Sequence, residues 1–195
     1  HTRYPLVTGV QTCALPIFVR VPHHEAHAAA LLADAHASGD AAAPRPLVVA
    51  TFDGSGYRVG AEGATIAGGE FFVVEETAAG RCFRHAATLE PFPLPGGDAA
   101  ILHPWRTALS LLHAADVPWD RSLAPVRAAG GTASILRRQI ERRVACTPTT
   151  SMGRLFDGVA ALLGVCLSID HEGEAAARLE HLAATAARSE EHTSE

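Results

Sequence analysis

Two histidines spaced four residues apart are the first side chains in the chain that could do chemistry. His23 and His27 flank His24 and Glu25 in a segment that reads PHHEAHAAALLAD. On a helix, residues at this spacing share one face, with Cβ atoms about 5–6 Å apart. Two imidazoles placed in this way could share a metal ion. The spacing alone does not decide this, because the chain has 11 histidines and a catalytic metal usually takes a third protein ligand.

A glycine-containing segment follows the short apolar run Leu47–Phe52 and reads DGSGY. Its residues are Asp53, Gly54, Ser55, Gly56 and Tyr57. The backbone N–H groups of such a segment can converge on an anion, for example a phosphate. A plain hairpin turn would use the same residues, so both interpretations stay open at this point.

Two aspartates lie near the beginnings of helical segments. Asp157 belongs to the sequence GRLFDG, and the apolar periodicity places it on the polar side of an amphipathic helix over Ser151–Leu163. There its carboxylate could complement the helix dipole or accept hydrogen bonds from ribose hydroxyls. Asp98 follows PLPGG and is suited to capping a helix.

Helices and short strands must position these residues. The Ala- and Leu-rich segment His23–Ala37, entered through Pro22, predicts a helix. Strands are predicted at Leu47–Phe52, Thr65–Glu75 and Arg84–Leu89, a loop at Pro91–Gly97, and further helices at Ala99–Ala115, Ala133–Val144, Ser151–Leu163 and Glu174–Ala187. Together these elements predict an α/β fold, with an antiparallel meander that opens a mixed sheet and is followed by helices.

Composition argues against several classes of protein. All 16 basic residues are arginine, so a phosphate-binding loop with its lysine and a Schiff-base lysine are absent. The net charge is -5, and the one basic cluster, Arg137–Arg143, has the helical spacing of a solvated face, which argues against a nucleic-acid partner. The four cysteines form no CxxC pair, which favours a reducing, cytoplasmic location. No apolar run approaches the roughly 20 residues of a membrane span.

Both ends of the sequence differ in character from the rest. Residues 1–18, HTRYPLVTGVQTCALPIF, fit no helical or strand period. Residues 189–195, SEEHTSE, are out of character with the Ala-, Leu- and Arg-rich helical segment before them. Both resemble translated sequencing-adapter sequence, and we expect neither to belong to the fold. Residues 19–188 are then expected to form the N-terminal part of a domain.

The order of the motifs and the residues in them resemble those of one known family. The run PHHEAHAAALLAD, FDGSGY, IAGGEFF, PFPLPGGDAAILHPWR, SMGRLFDGVAALLG and HEGEAAARLE resembles the C-terminal region of the HypF-type hydrogenase-maturation carbamoyltransferases. That region is similar in turn to the Kae/TsaD proteins, which modify tRNA. Two positions depart from the family pattern, since Ala67 stands where a Trp is usual and His171 where a Tyr is usual.

The resemblance implies a partial actin-like ATPase (ASKHA) fold and a carbamoyltransferase activity. A domain of this kind binds carbamoyl-adenylate, made from ATP and carbamoyl phosphate by other domains, and transfers the carbamoyl group to the C-terminal cysteine of a HypE-type partner. His23 and His27 match a metal-binding pair for Zn²⁺ or Fe²⁺. The residues that match the carbamoyl-adenylate site are Asp53, Gly54, Ser55, Gly56, Tyr57, Asp157, Gly173 and Glu174.

The same resemblance implies that a further Asp ligand and a glycine-rich nucleotide loop come from a part of the domain that this sequence lacks. We therefore expect the chain to be inactive by itself. Two alternatives remain, an O-carbamoyltransferase of the antibiotic or nodulation type and a non-catalytic metal-binding assembly module. The residues of the motifs PLPGGDAA and GRLFD favour the HypF type over the O-carbamoyltransferase.

Overall fold

The computed structural model describes residues 21–39, 46–60, 63–78 and 80–191. The predicted leader at 1–18 lies outside the described residues, as do residues 192–195 of the predicted tail. The domain boundaries at 19 and 188 therefore remain predictions.

The described residues form a mixed α/β arrangement, with four consecutive strands after α1 and mostly helices after them. The strands are β1 (Leu47–Gly60), β2 (Gly63–Thr77), β3 (Gly80–Thr88), β4 (Phe92–Pro95) and β5 (Cys146–Thr149). The helices are α1 (His23–Ala37), α2 (Asp98–Leu102), α3 (Pro104–Ala114), α4 (Ala124–Ala129), α5 (Ala133–Glu141), α6 (Met152–Leu162) and α7 (Glu174–Glu191). Helix α1 has the bounds that the sequence predicts, because its alanine-rich composition favours a helix without help from tertiary contacts.

In the described part of the chain, one five-stranded sheet holds the fold together, and β2 is its central strand. Strand β2 pairs antiparallel with β1 and with β3, which confirms the predicted meander. The parallel pairing of Ile66 with Thr149 joins β2 to β5, and β5 then pairs antiparallel with β4. The sheet is therefore mixed, as the sequence predicts.

Strand β1 does not end where the sequence places its turn. The strand continues through residues 53–56 to Gly60, so of the two interpretations of DGSGY the hairpin turn is wrong. The register shifts instead, because Phe52 pairs with Gly69 and Gly56 pairs with Ala67. Residues 53–55 consequently bulge opposite Gly68, and a bulge of this kind bends the strand and re-aims its side chains.

The middle of the chain contains two further differences from the predictions. The loop at Pro91–Gly97 contains strand β4, whose partner β5 lies more than 50 residues further along and is invisible to local patterns. The helix at Ala99–Ala115 is divided into α2 and α3 at His103. Pro104 causes the break, because it lacks the N–H that a continuing helix would need.

The buried face of helix α6 is not the face on which its large apolar residues lie. Phe156 and Leu163 are exposed, whereas Arg154, Asp157 and Ala160 are buried. The prediction that Asp157 lies on the polar, solvated side is therefore wrong. Helix α6 packs against both α3 and α7, and small residues on its buried face allow this close approach.

Three groups of buried apolar residues support the structure. One joins α1 to the sheet through Ala28, Val49 and Phe72, one lies among α3, α4 and α5, and one lies between α6 and the start of α7. The first holds the beginning of α1 over the bulge of β1. Among the described residues, every helix is too short or too polar to cross a membrane.

Candidate metal centre

The first turn of α1 brings the histidine pair together. The Nε2 atoms of His23 and His27 lie 3.2 Å apart, and the two rings meet edge to face, with centroids 4.6 Å apart. The helix begins directly after Pro22, whose carbonyl accepts the first helical hydrogen bond, from the N–H of Ala26. The spacing of four residues therefore places both imidazoles on one face, as the sequence predicts.

Asp53 supplies a third donor from the bulge of β1. Its Oδ2 lies 2.7 Å from Nε2 of His23, and the ligand atoms of His23, His27 and Asp53 all lie within 4.8 Å of one another. From the sequence, Asp53 was expected in an anion-binding loop, and the family resemblance placed a further Asp ligand in a part of the domain that this sequence lacks. The bulge is what turns this carboxylate toward α1, and the one-dimensional pattern does not reveal the bulge.

The backbone holds the Asp53 carboxylate in place. Its Oδ1 accepts hydrogen bonds from the N–H of Gly54 at 2.6 Å and from that of Ser55 at 3.4 Å. Burial raises the pKa of Asp53, but these two N–H groups and His23 outweigh the effect, so the pKa lies below its ordinary value. Asp53 is therefore ionised at neutral pH and available as a ligand.

His24 is buried under the same carboxylate. Its side chain is 6% exposed, and its Nε2 lies 3.8 Å from Oδ2 of Asp53. Among the described residues, this Nε2 has no hydrogen-bond partner. Burial lowers the pKa of His24, so its imidazole is neutral. No role for His24 was predicted from the sequence. A signal was nevertheless available, because His24, Ala28 and Leu32 recur every four residues on the face that packs against the sheet.

The donor set fits a transition-metal ion. Two imidazole nitrogens and one carboxylate oxygen are ligands that zinc and iron accept. The distance of 3.2 Å between the two nitrogens is close to the spacing of about 3.3 Å that two ligands have around a tetrahedral ion with bonds of about 2.0 Å. His23, His27 and Asp53 could therefore hold one metal ion and leave a position open for another ligand.

Helix α6 begins against the other side of the bulge. Oγ of Ser151 donates a hydrogen bond to the carbonyl of Gly54 at 2.6 Å and accepts one from the N–H of Arg154 at 3.1 Å. Ser151 is therefore both the N-cap of α6 and its link to β1. Gly68 permits the contact, because a Cβ on Gly68 would lie 2.1 Å from the carbonyl oxygen of Asp53.

Of the predicted anion-binding residues, Gly54 faces open space, since a Cβ there would meet nothing within 4 Å. Ser55 is exposed and Gly56 is buried beneath His24. Tyr57 continues β1 opposite Ile66, and its side chain lies outside the described part of the structure.

Asp157 is held inside the protein by an arginine. Its carboxylate is 1% exposed, and its Oδ2 lies 2.9 Å from Nε of Arg154, although the two atoms are not aligned as a hydrogen bond. Burial raises the pKa of Asp157, and the charge of Arg154 opposes this only in part. In this structure Asp157 is therefore paired with Arg154 inside the fold and does not face the solvent.

Gly173 and Glu174 form the entrance to α7. Gly173 has a positive φ of 81°, and the carboxylate of Glu174 accepts the N–H of Asp170 at 2.7 Å and contacts Arg178 at 2.5 Å. Glu174 and Asp157 act electrostatically on the same buried thiol, that of Cys166. The structure thus brings these residues together in a second group, which α6 connects to the metal centre.

The carboxylate of Glu70 in β2 is also buried, and the sequence did not predict this. Oε1 of Glu70 accepts hydrogen bonds from the hydroxyls of Thr88 and Thr150 at 3.0 and 3.1 Å, and Oε2 lies 2.5 Å from Nε2 of His85. Glu70 therefore ties β2 to β3 and to the chain just before α6. A glutamate after two glycines gives no sign of burial in the sequence.

Comparison with known proteins identifies relatives of the chain. A family model described as a carbamoyltransferase, Kae1-like domain, second subdomain, matches residues 49–195. The carbamoyltransferase HypF of Rhizobium leguminosarum bv. viciae is 37% identical over 183 residues, which cover 93% of this chain and 22% of the relative. That of Rhodobacter capsulatus is 38% identical over 167 residues, which cover 85% of this chain and 21% of the relative.

Solved structures agree with this result. The crystal structure of full-length HypF in the phosphate- and nucleotide-bound form matches with a TM-score of 0.61 and 32% identity, over 83% of this chain and 20% of that one. The HypF of T. kodakarensis shares the fold, with a TM-score of 0.60 and 23% identity, over 83% of this chain and 21% of that one. The predicted fold class and family are thereby confirmed. The chain spans about a fifth of the length of these relatives, and it belongs to the HypF family of carbamoyltransferases, within the Kae1-like domain.

Proposed function

We propose that this chain contributes the carbamoyl-transfer site of a HypF-type enzyme that matures [NiFe]-hydrogenase in the cytoplasm. In this proposal the site binds carbamoyl-adenylate and transfers its carbamoyl group to the C-terminal cysteine thiol of a HypE-type acceptor. The observation that carries the proposal is the convergence of His23, His27 and Asp53 in a chain that belongs to the carbamoyltransferase family.

The chemistry is an acyl transfer. The sulfur of the acceptor attacks the carbamoyl carbon, a C–S bond forms, the C–O bond to the adenylate phosphate breaks, and AMP leaves while the thiol releases its proton. A bound Zn²⁺ or Fe²⁺ would supply a Lewis acid or an anchor for the phosphate. The acceptor provides the nucleophile, so the chain needs no reactive cysteine of its own.

The chain's own residues would bind and orient the intermediate. Gly54 presents open backbone beside Asp53, and the start of α6 lies directly behind it. N–H groups at a helix start are suited to an anionic phosphate, whereas those of Gly54 and Ser55 in the bulge already bond to Asp53. Asp157, Gly173 and Glu174 are assigned to the nucleoside, and for Asp157 this role requires its contact with Arg154 to open.

We test the metal part on the 195-residue chain by measuring Zn²⁺ and Fe²⁺ content and affinity. The variants are His23→Ala, His27→Ala and Asp53→Ala, and the matched control is His36→Ala, which removes an exposed imidazole from the same helix. We expect each of the three variants to lose stoichiometric metal and the control to retain it. Full retention in all three variants would overturn the assignment of the site.

The transfer step is tested in the complete protein, with carbamoyl phosphate, ATP and a HypE-type acceptor, by the mass increase of the acceptor's C-terminal peptide. We expect metal and transfer to disappear together. If metal is lost while transfer survives, the metal is structural. If the wild type binds metal but transfers nothing, the chain is a metal-binding assembly module.

We also propose that the chain alone does not transfer carbamoyl, since it spans about a fifth of its relatives. The experiment supplies carbamoyl-adenylate and acceptor to purified residues 19–188. Formation of carbamoylated acceptor would contradict this part of the proposal.

A further inference from the structure

A groove of about 790 Å³ lies outside the metal centre, between α4, α5 and the segment that precedes α4. Its charged and aromatic lining consists of Arg121, Arg127, Arg137, Arg138, Glu141 and Trp119. Four guanidinium groups thus face one carboxylate, in a chain whose net charge is -5. We call this surface the arginine groove.

The four arginines have no acidic partner in the part of the chain that the structure describes. None of them forms an ion pair there, although Glu141 follows Arg137 and Arg138 by four and three residues on α5. The nearby carboxylate of Asp120 accepts the N–H of Ser122 instead. The positive charge of the groove is therefore not neutralised within the fold.

Two of the guanidinium groups are held in position before any ligand arrives. Arg137 lies over the ring of Trp119, 4.5 Å from its centroid, and Trp119 itself packs against the core beneath α3 and α5. Nη1 of Arg127 donates hydrogen bonds to the carbonyls of Arg121 and Ser122. Fixed side chains lose less entropy when they bind, so this groove is better suited to binding than four freely moving arginines would be.

We propose that the arginine groove is a docking site for an acidic peptide segment of a partner protein. The planar guanidinium fork binds carboxylates through paired hydrogen bonds. Four forks spread over α4, α5 and the segment before α4 suit several carboxylates along one chain. The volume of the groove, about 790 Å³, is more than a single phosphate or carboxylate would fill.

A peptide fits the surface better than a nucleic acid does. Single-stranded nucleic acids bind through exposed aromatic rings on which bases stack, and Arg137 already covers the one aromatic ring that lines the groove. The negative charge of the whole chain also repels a long polyanion. A short acidic segment experiences mainly the local positive charge of the groove.

The test measures fluorescence anisotropy of a fluorescein-labelled octaglutamate peptide on the 195-residue chain, with an octaglutamine peptide for comparison. The groove variant is Arg137→Gln with Arg138→Gln. The matched control is Arg142→Gln with Arg143→Gln, which removes the same charge from exposed residues just beyond the end of α5 and outside the groove lining. All four side chains are exposed, so the variants should fold, which circular dichroism verifies.

We expect octaglutamate to bind and octaglutamine not to bind, and the groove variant to weaken binding about tenfold relative to the control variant. Equal weakening by both variants would show non-specific attraction and overturn the proposal. Absence of octaglutamate binding would overturn it as well, as would tighter binding of a single-stranded DNA of equal charge. The proposal does not depend on the metal centre, and loss of metal binding should leave it unaffected.

Discussion

The ring of His24 occupies the space that Gly56 leaves open at the end of the β1 bulge. A Cβ on Gly56 would lie 2.2 Å from Cε1 of His24 and 2.9 Å from the carbonyl oxygen of Ala67. The ring cannot move aside freely, because its side chain is 6% exposed beneath Asp53. The position of His24, and through it the packing under the metal centre, therefore depends on a residue without a side chain.

We expect Gly56→Ala to destabilise the chain by about 1–3 kcal/mol, the usual cost of an overpacked interior, and to weaken metal binding. Urea unfolding and a zinc titration measure the two effects. Gly54→Ala is the matched control in the same bulge, because its new methyl group meets no atom within 4 Å. Equal losses in both variants would show that the bulge, and not His24, is the sensitive feature.

Ser151 serves two bonding partners, and substitution can separate them. Ser151→Ala removes the cap of α6 and the hydrogen bond to Gly54, so we expect a loss of about 2 kcal/mol. Ser151→Gly should cost about 1 kcal/mol, because glycine is tolerated as an N-cap while the bond to Gly54 is still lost. Thermal and urea unfolding of both variants provide the comparison, and identical stabilities would mean that the cap contributes nothing.

The buried pair Arg154 and Asp157 should show strong coupling. Arg154→Met leaves a buried carboxylate without its countercharge, which we expect to cost about 3–5 kcal/mol. The pKa of Asp157 is already raised by burial, so the destabilisation by Arg154→Met should be smaller at acidic pH, where the Asp157 carboxyl is protonated. It should grow as the pH rises through the pKa that Asp157 has in the folded chain. Combining Arg154→Met with Asp157→Leu should recover most of the stability, as measured by a double-mutant cycle. Additive losses would contradict the pairing.

Glu174 should contribute to the acid limit of stability. The N–H of Asp170 holds the pKa of Glu174 below its ordinary value, so the unfolded chain takes up the proton at a higher pH than the folded chain. The stability that Glu174 contributes is present above the pKa that its side chain has in the unfolded chain. It is lost as the pH falls through the lower pKa that Glu174 has in the folded chain. Glu174→Gln should therefore flatten the decline in stability below about pH 4.3. Glu180→Gln, at an exposed position of α7, is the control and should leave the decline as in the wild type.

The local sequence was sufficient to predict the histidine pair, but it did not predict Asp53 as the third ligand. Helix α1 depends on its own alanines and leucines, so its bounds and the shared face of His23 and His27 could be predicted. The orientation of Asp53 depends on a bulge opposite Gly68, which forms only when two strands pair. Asp157 was placed on the wrong side of α6 because small residues, and not large ones, determine which face packs inward.

The hydrogen bond from Ser151 to Gly54 closes a loop of 97 residues. Contacts between such distant parts of a chain are entropically costly and form slowly. The bulge can therefore become rigid only after helix α6 has docked on the sheet. During folding, the ability to hold a metal ion should appear late, so that the rate of metal uptake reports the arrival of α6 and not the formation of the histidine helix.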